Sequence, residues 1–224
     1  MALVTKQHMI KIETIYQKLY QAYGQQHWWP ADSDLEMMIG AVLVQNTSWT
    51  NAEKALNRFE NFDGSLILSL SPDSLMEKIR PAGFFRRKAQ TIRSLLLWFQ
   101  TYGFDKKQLE RKATADLRRE LLAIPGIGPE TCDCILLYSF ERPVFIVDNY
   151  LKRLLAKSGY PQISTYDQLQ TYVMAQLPQD VQLFQEFHAL IVAYGKIYLQ
   201  AKGSAPKDDP LSSLLLEAQE TAPH

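Results

Sequence analysis

Ile124-Pro125-Gly126-Ile127-Gly128-Pro129-Glu130-Thr131 is a glycine-rich turn, and eighteen residues beyond Glu130 lies Asp148, in Val144-Phe145-Ile146-Val147-Asp148-Asn149-Tyr150. Gly126 and Gly128 permit a tight turn and let the backbone approach a ligand closely. Pro129 suits the first turn of a helix, where its missing N–H is not needed. The amides at such a helix start point outward, and with the helix dipole they favour an anion such as a phosphate. An ordinary helix–helix turn would use the same Pro-Gly pairs. Asp148 follows an apolar run and precedes a helix, where an Asp commonly serves as an N-cap. A carboxylate fixed there can also stabilise a developing positive charge and activate or orient water. The two roles are compatible, because amide hydrogen bonds favour the ionised form. Glu130 offers a carboxylate and no amine, so it cannot form a Schiff base.

Helices must position these groups, and nearly the whole chain reads as helical. Ile10, Ile12, Ile15, Tyr16, Leu19 and Tyr20 recur at roughly helical spacing. Ser33 and Asp34 can cap a helix containing Met37, Met38, Ala41, Val42 and Val44. Further helices are expected over 51–59, from Ser71-Pro72-Asp73, over 86–102, after a Thr114 cap to near Ala123, from Pro129 to Leu137, from Asp148 to Ala156, over 165–176 and over 180–200. No clear period-2 alternation argues for a sheet, so an all-α fold is expected. Residues from about Lys202 onward, with Gly, Pro and Ser, are expected to form a loose tail.

A chain of 224 residues with 46% hydrophobic composition can bury a core, in one domain or two small lobes. No apolar run approaches the roughly 20 residues that span a bilayer. Met1 to Lys6 lack the apolar core of a signal peptide, so a cytoplasmic protein is expected, nucleoid-associated in a prokaryote. Cys132 and Cys134 fall on different faces of one helix and should not pair, which fits a reducing compartment. The 24 basic and 24 acidic residues cancel, but unevenly. Lys78, Arg80, Arg86, Arg87, Lys88 and Arg93 form a run without an acidic residue, whereas the segment after Lys207 carries Asp208, Asp209, Glu217 and Glu220. Local charge, not the net value, governs phosphate contact.

Hairpin, helix and aspartate at this spacing resemble the helix-hairpin-helix DNA glycosylases of the endonuclease III superfamily, over about residues 28 to 202. The resemblance implies two helical lobes: a helical barrel with the hairpin over 31–142, and a second lobe from 1–30 and 143–203. A flexible tail over 204–224 would follow, and the active cleft would lie between the lobes. It makes Asp148 the catalytic residue and turns Gly126, Gly128, Glu130 and Thr131 toward DNA. Members that also cut the strand carry a nucleophilic Lys where this chain has Glu130, so base removal by water, without lyase activity, is implied.

Trp28-Trp29-Pro30 and Gln45-Asn46-Thr47-Ser48-Trp49 are similar to the 3-methyladenine branch that lacks an iron–sulfur cluster. There Trp28, Trp29, Pro30 and Trp49 would line the base pocket, although adjacent Trp residues are otherwise core anchors. Lys202 aligns with a pocket lysine of that branch; its other reading is a surface lysine. Gln45 would enter the space left by a flipped nucleotide, or else is an interior helical Gln. In Gly83-Phe84-Phe85-Arg86-Arg87-Lys88-Ala89, Phe84 or Phe85 could wedge between bases while Arg86, Arg87 and Lys88 meet phosphates. A solvated charged helix start is the alternative.

Endonuclease III has four Cys after its catalytic region that bind a cluster. This chain has no Cys after Cys134, so neither a cluster nor any metal held by side chains is expected. Helix packing near Phe184, Phe187, His188 and Tyr194 would do that work instead. The family hairpin holds a monovalent cation through backbone carbonyls. The expected protein is a monofunctional DNA glycosylase of base excision repair, acting as a monomer on double-stranded DNA that contains an alkylated purine such as 3-methyladenine. A glycosylase for another lesion or mismatch is the alternative within the class. A non-catalytic helix-hairpin-helix DNA-binding protein is the alternative outside it, and Asp148 argues against that.

Overall fold

The computed structural model describes residues 10–158, 160, 165–200 and 208–220. Among them are twelve α-helices and no strand: α1 Ile12–Tyr23, α2 Asp34–Leu43, α3 Trp49–Leu56, α4 Gly64–Ser69, α5 Pro72–Ile79, α6 Phe85–Gln100, α7 Thr114–Leu122, α8 Pro129–Tyr138, α9 Asn149–Lys157, α10 Tyr166–Met174, α11 Val181–Tyr198 and α12 Ser212–Glu220. The chain forms two compact units. One is the contiguous Trp29–Pro143, holding α2 to α8; the other joins the flanks, up to Trp28 and from Val144, holding α1 and α9 to α12.

Short polar side chains set most helix starts. Ser33 accepts from the Glu36 amide, and Glu36 returns a carboxylate oxygen to the Asp32 amide at 2.8 Å. Ser48, Asp63, Ser71, Thr165 and Asp180 cap α3, α4, α5, α10 and α11 in the same way. α7 departs from expectation: Thr114 is its first residue rather than its cap, and Ala113 stands at the N-cap. α4 carries only a short apolar pattern and was not expected.

In the 29–143 unit, α2 is buried at Leu35 and from Met37 to Leu43, surrounded by protein rather than amphipathic. Ile92, Leu95, Leu96 and Phe99 of α6 and Leu75 and Ile79 of α5 complete the core. α7 and α8 are tied by a bidentate pair, Arg118 Nε to Asp133 Oδ1 at 2.8 Å and Nη2 to Oδ2 at 3.3 Å, with Asp133 fully buried.

The flank unit is built on α1 and α11. Ile12, Ile15 and Leu19 are buried, as are Phe184, Phe187 and Tyr194. Phe145 meets Phe184 and Phe187 at ring distances of 5.3 and 5.4 Å. The loose tail expected over 204–224 instead contains α12 within its described part. Asp209 is the reason: its carboxylate accepts from the Tyr194 hydroxyl at 3.0 Å and from the Leu211 amide at 2.8 Å. Leu211 and Leu215, four apart, are both buried.

His188 is buried in α11, and burial pulls its pKa from 6.5 down to about 4. Between those values the unfolded chain binds the extra proton, so stability falls as pH drops from 6.5 toward 4. The full shift corresponds to about 3 kcal/mol. His188→Gln should flatten that part of the stability curve, measured as urea midpoints from pH 7 to 4; an unchanged slope would assign the acid sensitivity elsewhere.

Candidate functional site

The hairpin between α7 and α8 is a tight turn over Ile124–Ile127, closed by the Ile127 amide on the Ile124 carbonyl at 3.1 Å. Pro125 and Gly126 occupy its two central places, the type II pattern, and Gly126 has φ +91. A Cβ on Gly126 would lie 2.0 Å from Thr91 Oγ1. That hydroxyl donates to the Pro125 carbonyl at 3.0 Å, so the turn is pinned to α6 at the place where a side chain would intrude. Gly128 differs. Its φ is −93, and a Cβ there meets nothing within 4 Å. Pro125, Gly126, Gly128, Pro129 and Glu130 are all exposed, with Glu130 in the first turn of α8.

Two residues expected to face DNA bond to each other in the hairpin. Thr131 is buried, and its Oγ1 accepts from Gln45 Nε2 at 2.8 Å. Gln45 Nε2 also donates to the Gly126 carbonyl at 3.1 Å. Gln45, expected in the gap of a duplex, thus directs its amide into the hairpin and holds it. The carbonyls of Ile124, Pro125, Gly126 and Gly128 each accept a protein donor, so a monovalent cation at this turn would have to take their second lone pairs.

The loop before α6 separates its residues sharply. Gly83 and Phe84 both have positive φ, +69 and +47, and Phe84 is 66% exposed. A bulky residue in the left-handed region is uncommon and costly. Phe85 is half-buried, with the Arg80 guanidinium 4.8 Å above its ring, so of the two Phe84 is the wedge candidate. Arg86 and Arg87 are exposed as expected. Lys88 is not: it is 4% exposed, and its ammonium donates to the Leu43 carbonyl at 2.9 Å and the Ala82 carbonyl at 2.8 Å. Burial lowers its pKa to about 8. Helical periodicity turns residue 88 inward, which the charge run concealed.

Trp29, Trp49 and Tyr138 form a half-buried aromatic group. Trp29 lies edge-on to Trp49 at 5.3 Å and tilted against Tyr138 at 5.5 Å. Gly40 of α2 sits close under the Trp29 indole. Tyr138, at the end of α8, was missed, although an aromatic at the last turn of the hairpin's second helix is a readable signal. Pro30 is exposed, and Trp28 belongs to the other unit, with the Lys196 ammonium 5.8 Å above its ring. Lys202 lies outside the described residues.

Asp148 is the N-cap of α9, only 7% exposed, and its Oδ1 accepts from the Leu151 amide at 2.7 Å. The segment before it is held by the Val147 amide on the Tyr166 hydroxyl at 3.2 Å and by Gln170 on the Phe145 carbonyl at 2.6 Å. The first turn of α9 is seated on α11 through a missing side chain: a Cβ on Gly195 would meet the Tyr150 ring at 2.3 Å. Cys132 and Cys134 are free and buried, and burial pushes the Cys132 thiol up to about 12, away from thiolate chemistry. Among the described residues no group of three His, Cys, Asp or Glu could hold a metal ion, and no helix is long and apolar enough to cross a membrane.

The described residues thus carry a pinned glycine hairpin and, after it, a helix-capping aspartate, on helices without a strand. Residues 39–179 match the HhH-GPD superfamily of base excision DNA repair proteins, and the chain belongs to that family. A protein of Methanocaldococcus jannaschii named as a DNA repair glycosylase is 40% identical over 197 residues, covering 85% of this chain and 90% of its own. The 3-methyladenine DNA glycosylase MagIII of H. pylori, solved with 1,N6-ethenoadenine, is 26% identical with a TM-score of 0.74, over 84% of this chain and 98% of that one. An endonuclease III solved with DNA has a TM-score of 0.78 at 18% identity, over 93% and 95%, and shows the shared fold.

Gly126→Ala should destabilise the protein by roughly 1–3 kcal/mol, from the positive φ and the Thr91 clash together. Gly128→Ala should melt within about 0.5 kcal/mol of wild type, as an exposed site free of strain does. Equal losses for the two variants in denaturant titrations would show that the fold itself requires Gly128.

Proposed function

We propose that this protein is a monofunctional DNA glycosylase that removes alkylated purines such as 3-methyladenine from double-stranded DNA, acting as a monomer and without a metal or iron–sulfur cofactor. The aromatic group Trp29–Trp49–Tyr138 carries the substrate reading. An alkylated purine is electron-poor and often cationic, and aromatic faces hold such a ring by stacking and cation–π attraction. The MagIII likeness supports the same class of base. A cluster of the endonuclease III type needs four thiolates, and the sequence has two Cys, both buried.

In this reading Phe84 enters the duplex while Arg86, Arg87 and the amides at the α8 start meet phosphates. The extruded base rests against Trp29 and Trp49. As the C1′–N bond lengthens, positive charge grows on the sugar, and the Asp148 carboxylate, fixed by the Leu151 amide, stabilises it. The bond's electron pair leaves with the base, so a cationic base departs neutral. A water oxygen bonds to C1′, and its proton passes to Asp148 or to solvent. Glu130 has no nitrogen for an imine, so the product is an abasic site with an intact strand.

Duplex DNA methylated at random, incubated with the protein, should yield free 3-methyladenine by chromatography. Strands should break only after alkali, with no borohydride-trapped adduct. Release of other bases alone would overturn the substrate, and efficient trapping would overturn monofunctionality. Asp148→Asn should lower release by roughly 10²-fold or more while affinity for abasic duplex stays near wild type; near wild-type turnover would remove Asp148 from the mechanism.

Trp29→Ala and Trp49→Ala should each weaken excision of methylated purines by about 1–3 kcal/mol, the worth of one base–aromatic stack, and affect abasic-duplex binding less. Equal losses on both ligands would make the two indoles core anchors only.

A further inference from the structure

Lys88 stands in a run of exposed cations but faces inward. Its ammonium has three donors, and two are committed: one to the carbonyl that ends α2, Leu43, and one to Ala82, the residue before Gly83-Phe84. Two residues beyond Leu43 is Gln45, which holds the hairpin through Gly126 and Thr131. Two residues beyond Ala82 is Phe84, exposed and with φ +47. One helical turn along α6, Thr91 holds the hairpin at Pro125. One face of α6 thus joins the Gln45 turn, the Phe84 loop and the hairpin.

The Phe84 loop has little local support. α6 has no side-chain cap and no acidic residue in its first turn, and two successive residues have positive φ. A chain released from Lys88 would leave the left-handed region, and the Phe84 ring would swing away from its present direction.

We infer that Lys88 is a positioning residue for DNA distortion: its buried ammonium fixes the Phe84 loop to the α2 end and the Gln45 turn, so that the ring enters the duplex in register with the hairpin. This rests on the proposed wedge role of Phe84. It also excludes Lys88 from the phosphate contacts, and the two roles have different signatures. A phosphate contact releases counterions and steepens the salt dependence of binding, whereas a positioning residue does not.

The test uses the full chain and a duplex carrying 2-aminopurine beside an abasic-site analogue, whose fluorescence rises on unstacking. Lys88→Met removes the ammonium while keeping much of the stem. Lys88→Gln, which keeps a donor, carries the test if the Met variant does not fold. The expected result is an unchanged slope of log affinity against log salt on undamaged duplex, where Arg87→Ala lowers it by roughly 1. The unstacking signal and abasic-duplex affinity should fall about tenfold, the scale of losing part of one unstacked step. In a Phe84→Ala background Lys88→Met should add almost nothing, as for two residues acting as one unit. A slope lowered by about 1 in the Lys88 variant, or additive losses with Phe84→Ala, overturns the inference while leaving the wedge intact. A wild-type unstacking signal in Phe84→Ala alone overturns the wedge reading, and the inference falls with it.

Discussion

Thr91 Oγ1 occupies the space that a side chain at position 126 would need, and its hydrogen bond to the Pro125 carbonyl depends on that space being empty. Only glycine satisfies both the contact and φ +91 at that position. Once the turn is pinned to α6, the Gly126 carbonyl and the Thr131 hydroxyl lie where Gln45 can bind both. The hairpin is thereby fixed from two sides, and the α7–α8 pair is closed behind it by Arg118 and Asp133. What remains outward, from Gly128 to Glu130, is backbone, the Pro129 ring and one carboxylate. Gly128 is explained by no contact inside the protein, in contrast to Gly126. A fold that spends its steric constraints on Gly126 and leaves Gly128 open keeps the α8 start exposed, and a helix start of that kind suits an anion.

The flank unit fixes its carboxylate by different means. Asp148 ends an extended buried run, and the helix it caps is seated by Tyr150 on Gly195. Tyr166 and Gln170 of α10 satisfy the backbone of that run, which has no strand partner among the described residues. An extended segment buried without such donors would carry unpaired polar groups, each costing about 1–3 kcal/mol. The apolar residues 144–147 thus hold the carboxylate still, and α10 makes their burial affordable.

Helices and caps were legible because they depend on neighbours in sequence. Ser33, Ser71, Asp148, Thr165 and Asp180 could be read as helix starts from type and position alone. The hairpin was legible because two glycines and a proline leave few backbone choices. Three features were not. Lys88 looks like part of a solvated charge run until the direction of its side chain is known, and its partners are 45 and 6 residues away. Thr91 has no motif; it matters only through what residue 126 lacks. The helix at Ser212–Glu220 depends on Asp209 meeting Tyr194, a tertiary contact that the Gly, Pro and Ser of the preceding segment obscure.

The start of α6 breaks most local rules for a helix N-terminus. A bulky left-handed residue holds the N-cap position, no side chain caps it, and Arg86, Arg87 and Lys88 place three cations where the dipole favours anions. Each misplaced charge costs about 0.3–1 kcal/mol when exposed. Lys88 resolves its share by leaving its own helix start and reaching the C-terminal end of α2, where the dipole has the opposite sign and a carbonyl awaits a donor. Arg86 and Arg87 have no such exit among the hydrogen bonds of the loop, and they stay in solvent beside an exposed phenyl ring. Natural sequences violate local preference where function requires it and compensate through tertiary contacts. The compensation here is a single buried ammonium. It holds in place a surface of one aromatic ring and two guanidinium groups, a combination that fits a polyanion whose bases can be parted.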